Sequence, residues 1–231
     1  MLKPRKKMAE KKEIKQDFAV ELYYKTINFF SKYTKELLIA LGIIVIIVVA
    51  IIFYTMNKAK NNEKAGVELQ NIITVYNAGA YLDAINGNKT NKINGLKYIV
   101  EKYGNTENGN TAKIFLANAY FYLGKFNDAL KYYDDYDGDN NILKASAYAG
   151  MASCYEGLNE FDKAAKYYQK AYKISEDNPQ NGYYMLHAAL NLIKLNQKED
   201  AIQLIKAVRN DYKKDRYLIE EVDRYLSMYE N

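Results

Sequence analysis

The sequence predicts an all-α protein, in which a single N-terminal transmembrane helix precedes an α-solenoid of antiparallel helix hairpins. Three observations lead to this prediction. The 231 residues include only two prolines, so long helices can run unbroken. An uncharged apolar stretch lies near the N-terminus, and one amphipathic segment recurs through the rest of the chain. The composition, 49% hydrophobic and 26% charged, is ordinary for a folded protein.

The net charge of +5 belongs to the N-terminal arm. Residues 1–36 carry ten Lys or Arg against five Asp or Glu, whereas residues 57–231 carry 23 of each. A nucleic-acid-binding domain concentrates Lys and Arg to neutralise phosphates, so the neutral main body predicts no nucleic-acid partner. The basic arm itself could contact anionic lipid or RNA, and the apolar stretch that follows it favours lipid.

That apolar stretch is "LLIALGIIVIIVVAIIFY", within residues 37–57. Twenty-one helical residues reach about 31 Å, which matches a hydrocarbon core of about 30 Å. A buried core helix would show a polar stripe, and a cleaved signal peptide would have a shorter apolar region with a small-residue cleavage site behind it. The sequence shows neither, so we predict a retained span in contact with membrane lipid.

The orientation of this span follows from the distal charges. Lysines within sixteen residues of the two ends are equal in number, but the basic cluster between Lys3 and Lys15 favours a cytoplasmic N-terminus. The C-terminal domain is then predicted outside the cytoplasm, which in a Gram-negative cell places a single-pass protein in the inner (plasma) membrane with a periplasmic domain.

Residues 1–36 form a basic arm that ends in a predicted amphipathic juxtamembrane helix. Its apolar residues recur at helical spacing and lead into the span: Phe18, Leu22, Thr26 or Ile27, Phe30, Tyr33 and Leu37. Such a helix can lie in the headgroup region or dock on a partner membrane protein, and the sequence leaves both alternatives open.

The rest of the chain, residues 58–231, repeats itself. "GKFNDALKYY" from Gly124 returns 35 residues later as "NEFDKAAKYY", and a third version, "NQKEDAIQLI", is offset by a further 37. We predict repeats at about 64–104, 110–143, 145–178 and 182–215, with a capping helix at 216–231. Small residues mark predicted close helix crossings: Ala117, Ala129, Ala152, Ala164, Ala189 and Ala201. Large residues are predicted to pack beside them: Tyr120, Phe126, Tyr133, Tyr155, Phe161 and Tyr168.

The pattern of a small residue, then Tyr, Gly or Asn, Phe, Ala and Tyr resembles the tetratricopeptide repeat. It is carried by "LANAYFYLGKFNDALKYYDDY", "MASCYEGLNEFDKAAKYYQKAY" and "AALNLIKLNQKEDAIQLIKAV". The layout of basic arm, single span and repeat domain further resembles the membrane-anchored (YfgM-like) family of the ancillary SecYEG translocon subunit, in a Bacteroidetes-like form. This resemblance implies contact with the translocon through the span, and with periplasmic chaperones or emerging clients through the repeats.

Chemistry-bearing motifs are sparse. Cys154 and His187 are the only residues of their types, and both are predicted to pack in the core, since no base or metal-ligand pattern accompanies them. The acidic cluster "DDYDGDNN" between Asp134 and Asn141 lacks the spacing of a calcium loop and is predicted to be a solvated turn. We therefore predict no enzyme, no cofactor and no metal.

A peptide-binding groove along the first helices is the predicted functional surface. The resemblance implies that a carboxylate clamp would need a lysine where Ile114 stands, so an amphipathic or extended peptide is the expected ligand. The alternative is a structural scaffold for another envelope complex, such as division or outer-membrane assembly machinery. Repeat register assigns these residues to the groove: Asn118, Phe121, Tyr122, Ser153, Glu156, Tyr183, Leu190 and Lys194.

Overall fold

The computed structural model describes residues 5–88 and 93–229, with side chains described from residue 18 onward. Inter-residue contacts divide the chain into two units, residues 1–57 and 58–231. In the first unit, α1 (Arg5–Lys32) is followed after one residue by α2 (Thr34–Asn77), which continues into the second unit. Hydrogen bonds from Tyr33 N to Phe29 O (3.0 Å) and from Leu37 N to Tyr33 O (2.9 Å) carry the helical pattern across the join.

The apolar part of α2 has the length and composition of a membrane span. Within the part of the chain that the structure describes, α2 is the candidate span, and none of its apolar window is buried. Side chains such as Ile46 and Phe53 are 69% and 74% exposed. A core helix would be mostly buried, so this exposure favours a candidate span over a core helix.

The described part of α1 is apolar on more than one side. Phe18, Leu22 and Phe30 of the expected stripe are exposed, but so are Val20 and Tyr24. At 100° per residue, Val20 and Tyr24 lie far around the helix from Phe18. The apolar surface is therefore broader than the single stripe that the sequence predicts.

The second unit consists of short helices packed in sequence after the end of α2. They are α3 (Tyr81–Asn86), α4 (Leu96–Tyr103), α5 (Glu107–Tyr122), α6 (Phe126–Asp134), α7 (Asn141–Gly157), α8 (Phe161–Lys173), α9 (Asn181–Lys194), α10 (Lys198–Asp211) and α11 (Arg216–Tyr229). Each helix from α5 onward packs on the next, so that α5–α6, α7–α8 and α9–α10 are successive hairpins. The fold is all-α and is built from helical repeats.

The beginning of this unit is less regular than the later hairpins. The segment "KAGVELQNIITVYNAGAYLDAI" is broken where Gly79 adopts a φ of 76°, and α3 begins two residues later. Strands β1 (Gly87–Asn88) and β2 (Ile93–Asn94) then pair antiparallel before α4. Helices α3 and α4, with the end of α2, pack on α5 in the place where a regular hairpin would precede it.

One turn geometry closes all three later hairpins. Gly124, Asn159 and Asn196 have φ of 70°, 60° and 60°, which is the left-handed region open to Gly and tolerated by Asn. Each following residue donates its N–H to the carbonyl five residues back: Lys125 to Tyr120 (2.9 Å), Glu160 to Tyr155 (2.8 Å) and Gln197 to Leu192 (2.9 Å). This is the Schellman helix ending, and it explains why this position is Gly in the first of these hairpins and Asn in the other two.

Alanines predicted at the helix crossings lie in the core of the hairpins. The side chains predicted for this role are each fully buried: Ala117, Ala129, Ala152, Ala164, Ala189 and Ala201. At the C-terminal end, α11 covers the last hairpin with Leu218, Val222 and Leu226, and Arg209 of α10 pairs with Asp223 of α11 at 2.8 Å. The final apolar face of the array is thereby covered.

Candidate functional site

A row of polar side chains crosses the first helices of the hairpins. In two successive hairpins a tyrosine of the second helix reaches a polar residue fifteen positions earlier in the first helix. Tyr133 donates its hydroxyl proton to Asn118 Oδ1, and the Tyr168 hydroxyl lies 2.9 Å from Ser153 Oγ. We call the set the hydroxyl row; its members are Tyr76, Asn118, Tyr133, Ser153, Glu156, Tyr168, His187 and Asn191.

Aromatic rings surround the N-terminal end of the row. The Tyr76 ring meets Phe115 edge-on with ring centroids 5.1 Å apart, and Tyr81 stacks on Tyr122 at 4.7 Å. Burial, with a smaller effect of the neighbouring Tyr122, raises the pKa of Tyr76 to about 12, although a hydrogen bond with Asn118 opposes this shift. Tyr122 is 58% exposed, so this end presents an aromatic surface to solvent.

The C-terminal end of the row converges on a carboxylate. Glu156 accepts hydrogen bonds from the Tyr168 hydroxyl (3.0 Å) and from Asn191 Nδ2 (2.6 Å), which links α7, α8 and α9. The His187 ring stacks on Tyr168 with centroids 5.2 Å apart. Burial, reinforced by the charge of Glu156, raises the pKa of Tyr168 above its usual range, so its hydroxyl remains a proton donor.

The aromatic residues of each second helix also contact the next first helix, at two equivalent positions. The Tyr133 and Phe126 rings lie against Gly150 and Gly157, where a Cβ atom would come within 2.2 Å and 2.5 Å of ring carbons. One hairpin later, Tyr168 contacts His187, and Lys194 Nζ lies 4.5 Å from the Phe161 ring centroid. Glycines thus allow close packing at one junction, while polar side chains cover the rings at the next.

Part of the predicted groove coincides with the hydroxyl row. Asn118, Ser153 and Glu156 are members, and Tyr122 lies beside its N-terminal end. Phe121 is half-buried against Phe126.

The remaining predicted groove residues lie elsewhere. Tyr183 and Leu190 pack with the C-terminal apolar cluster that includes α11, while Lys194 covers Phe161. The structure therefore brings together the predicted residues of the first two regular hairpins, but not Tyr183 and Leu190.

Sequence reasoning missed several members of the row. Tyr133 and Tyr168 were expected only to pack, yet each also places a hydroxyl on the row. The core position predicted for His187 is wrong, because its side chain is 46% exposed and stacks on Tyr168. The repeated fifteen-residue spacing between a polar residue and a tyrosine was the available signal. Asn191 had none, because the preceding hairpin has Cys154 at that register.

The acidic cluster is organised around a lysine. Lys113 Nζ lies 3.3 Å and 3.1 Å from the carboxylates of Asp135 and Asp137, and donates a hydrogen bond to the Asp135 carbonyl at 2.8 Å. The Lys113 side chain is only 7% exposed. Burial alone would raise the pKa of Asp137, but hydrogen bonds and charge from Lys113, with help from Asn110, hold it below the usual value. The cluster supplies the counter-charge of a buried lysine that fixes α5 to the turn after α6.

Cys154 is a packing residue. It is fully buried, and burial raises the pKa of its thiol to about 12. A thiol with that pKa is a poor nucleophile near neutral pH. Among the described residues, no three His, Cys, Asp or Glu side chains come together in a way that could hold a metal ion.

A second pattern of contacts involves pairs of aromatic rings. Tyr120 stacks on Tyr132 with centroids 5.5 Å apart, and Tyr155 stacks on Tyr167 at 5.3 Å. The third hairpin has Leu192 and Leu204 at these positions, which line an open depression of about 490 Å³ together with Tyr172 and Asp200. In the first two hairpins the paired rings hold consecutive helices together. In the third hairpin leucines replace the rings, and this depression remains.

Stacked helix hairpins with buried small residues at the crossings, Schellman turns between helices and a covering C-terminal helix define a helical-repeat protein of the interaction class. The tetratricopeptide repeat pattern matches residues 110–177, which include α6, α7, α8 and most of α5. These hairpins are tetratricopeptide-type helical repeats, a fold that serves as a protein–protein interaction module.

A curated relative supports the same assignment. A TPR repeat-containing protein of Methanocaldococcus jannaschii is 33% identical over 102 residues, which cover 42% of this chain. The chain spans about a third (31%) of the length of that relative. The similarity therefore concerns the repeats.

Proposed function

We propose that this protein is a membrane-anchored interaction module that binds a peptide segment of another protein along the hydroxyl row. The observation that carries the proposal is the row itself. Asn118 and Tyr133 in one hairpin and Ser153 and Tyr168 in the next stand at equivalent positions, 35 residues apart, and Asn191 of the third hairpin adds a hydrogen-bonding group one residue out of that register. Such a periodic set suits an extended or amphipathic peptide, because its backbone and side chains also repeat.

The aromatic end of the row supplies apolar contact area for the same ligand. Tyr122 is 58% exposed and stacked on Tyr81, so its ring is held in place before a partner arrives. Tyrosine rings contribute large contact areas at a low cost in conformational entropy, and they are enriched at binding hot spots. We therefore assign the first contact with an apolar partner residue to this end.

The apolar window of α2 supports the membrane anchor in this proposal. Its side chains are exposed over a length that suits a bilayer core. Together with the basic arm, this supports an N-terminus in the cytoplasm and a repeat domain in the periplasm. We propose that the module works at the Sec translocon, where it would assist translocation or periplasmic chaperoning of emerging chains.

Photo-crosslinking tests the partner assignment. A benzoylphenylalanine introduced at Tyr122 in the native host should yield discrete crosslinked proteins that include translocon subunits or secreted clients. The control position is Tyr217, which is 81% exposed but belongs to α11. Equal crosslinking at both positions would contradict binding at the row. Crosslinks from Tyr122 to division or outer-membrane assembly proteins would instead establish the scaffold function.

Topology is tested by a separate measurement. Alkaline phosphatase fused after residue 231 should be active, because that enzyme matures only outside the cytoplasm. An inactive but intact fusion would refute the periplasmic placement of the repeats.

A further inference from the structure

Glu156 differs from every other member of the hydroxyl row because it carries a negative charge. Its side chain is 23% exposed, so the carboxylate is partly buried and still reachable from solvent. It lies on α7, in the middle of the hairpin array. The other members are tyrosine, asparagine, serine and histidine side chains.

The hydrogen bonds of Glu156 come from neutral donors. The Tyr168 hydroxyl donates at 3.0 Å and Asn191 Nδ2 at 2.6 Å, and these bonds fix the carboxylate without cancelling its charge. Among the side chains described, no lysine or arginine forms an ion pair with it, and His187 Nδ1 is 4.0 Å away. Lys194, on the neighbouring helix, instead lies over the Phe161 ring at 4.5 Å.

A partly buried carboxylate with oriented neutral donors is prepared to receive a cation. Bringing such an anion further out of water is unfavourable unless an opposite charge comes with it. Asn191 adds a second acceptor nearby, because its Oδ1 is buried and has no hydrogen-bond partner among the described groups. The His187 ring is 46% exposed and is stacked on the buried Tyr168 ring, so its outer face offers a flat surface beside the carboxylate. A guanidinium group pairs with carboxylates and stacks on aromatic rings.

We infer that the peptide bound by the row presents a basic side chain, preferably arginine, to the Glu156 carboxylate. The aliphatic part of that side chain would lie along the exposed face of the His187 ring, with the apolar part of the peptide on Tyr122. The row would correspondingly reject segments that place Asp or Glu at this position, since like charges would then approach in a partly dehydrated site. This inference rests on the proposed binding of a peptide at the row.

Selection from a random library tests both ideas separately. Full-length protein in detergent micelles is immobilised and used to select phage-displayed random dodecapeptides. We expect the selected peptides to be enriched in Arg or Lys together with an aromatic or apolar residue. Selection on the Glu156→Gln variant should lose the basic enrichment and keep the apolar one. Glu199→Gln, at an exposed glutamate in α10, is the matched control and should behave like the natural sequence.

The selected peptide then provides a measurement in which the charge is removed from the peptide as well as from the protein. Its arginine is replaced by citrulline, which keeps the shape and removes the charge, and affinities are measured by fluorescence anisotropy. We expect citrulline to lower the affinity for the natural protein about tenfold and to leave the affinity for Glu156→Gln almost unchanged. A tenfold loss suits an ion pair that is partly buried, because exposed pairs contribute less and fully buried pairs more.

The outcomes distinguish the two proposals. Peptides that bind the natural protein without basic enrichment, or that lose as much affinity to citrulline on Glu156→Gln, would overturn the inference and leave the proposed function standing. A library that yields no peptide for the natural protein would overturn both.

Discussion

Replacing Gly150 by alanine tests whether the contact between hairpins is as close as the structure shows. On helix propensity alone, Gly150→Ala should stabilise the protein, because alanine in a helix interior is favoured over glycine by about 1 kcal/mol. The structure predicts the opposite result. A Cβ atom at Gly150 would lie 2.2 Å from Tyr133 Cζ, well inside the ordinary contact distance of 3.4 Å.

The cost of this clash follows from the surroundings of Tyr133. The ring is 4% exposed, and its hydroxyl is tied to Asn118, so it cannot swing into solvent. Inserting a methyl group into a packed core costs about 1–3 kcal/mol, and losing the hydrogen bond adds about 1 kcal/mol. After the helix-propensity gain, we expect Gly150→Ala to lower the free energy of unfolding by about 1–3 kcal/mol.

Urea unfolding of the full chain in detergent, followed by circular dichroism, measures this change. Tyr133→Leu provides the relief variant, because it removes the ring atoms that the new methyl group meets. The double variant should be more stable than the sum of the two single changes predicts, by about 1–2 kcal/mol. A stabilised Gly150→Ala variant, or strictly additive single changes, would refute the close contact between Tyr133 and Gly150.

Three further predictions concern the turns, the buried lysine and the buried thiol. Asn159→Gly should leave the melting temperature nearly unchanged. Asn159→Val should destabilise the protein by about 1–2 kcal/mol, because a β-branched residue disfavours the left-handed φ of 60°. Equal melting temperatures for the two variants would contradict the turn geometry. Lys113→Met should destabilise the protein at pH 7, and the difference in free energy of unfolding from the natural protein should shrink as the pH falls below about 4. The reason is that the lowered pKa of Asp137 stabilises the fold only while that carboxylate is ionised. A free-energy difference that stays constant from pH 7 to pH 3 in urea titrations would contradict the ion pair. Cys154 should not react with Ellman's reagent at pH 8 until the protein is unfolded, because the thiol is fully buried with a pKa of about 12; rapid reaction of the folded protein would contradict this burial.

The sequence by itself determined the helical architecture. The amphipathic segment recurs after 35 and then 37 residues, and the same residue type returns at Ala129, Ala164 and Ala201. This recurrence predicts stacked hairpins, because no single hairpin can bury its own apolar face. The apolar stretch at residues 37–57 was likewise readable, since length and the absence of charge are enough to indicate a candidate span.

The tertiary structure decided where the polar groups go. Repeat register placed Leu190 in the groove with Ser153, but the covering helix α11 draws Leu190 into the C-terminal cluster. His187 was expected in the core because no base or metal-ligand pattern accompanies it, whereas its imidazole is 46% exposed and stacks on Tyr168. Position within a repeat fixes the direction of a side chain, while its burial depends on what the next repeat contributes.

The same reason explains the hydroxyl row. Tyr133 and Tyr168 have the periodicity of packing residues, and the sequence does not show that their hydroxyls extend past the core to polar partners. In the sequence Glu156 is one predicted groove position among several, whereas in the fold Asn191, from a different repeat, orients its carboxylate. Periodicity reports the contacts that all repeats share, whereas this charged position arises from contacts present at only one junction, and only folding brings those residues together.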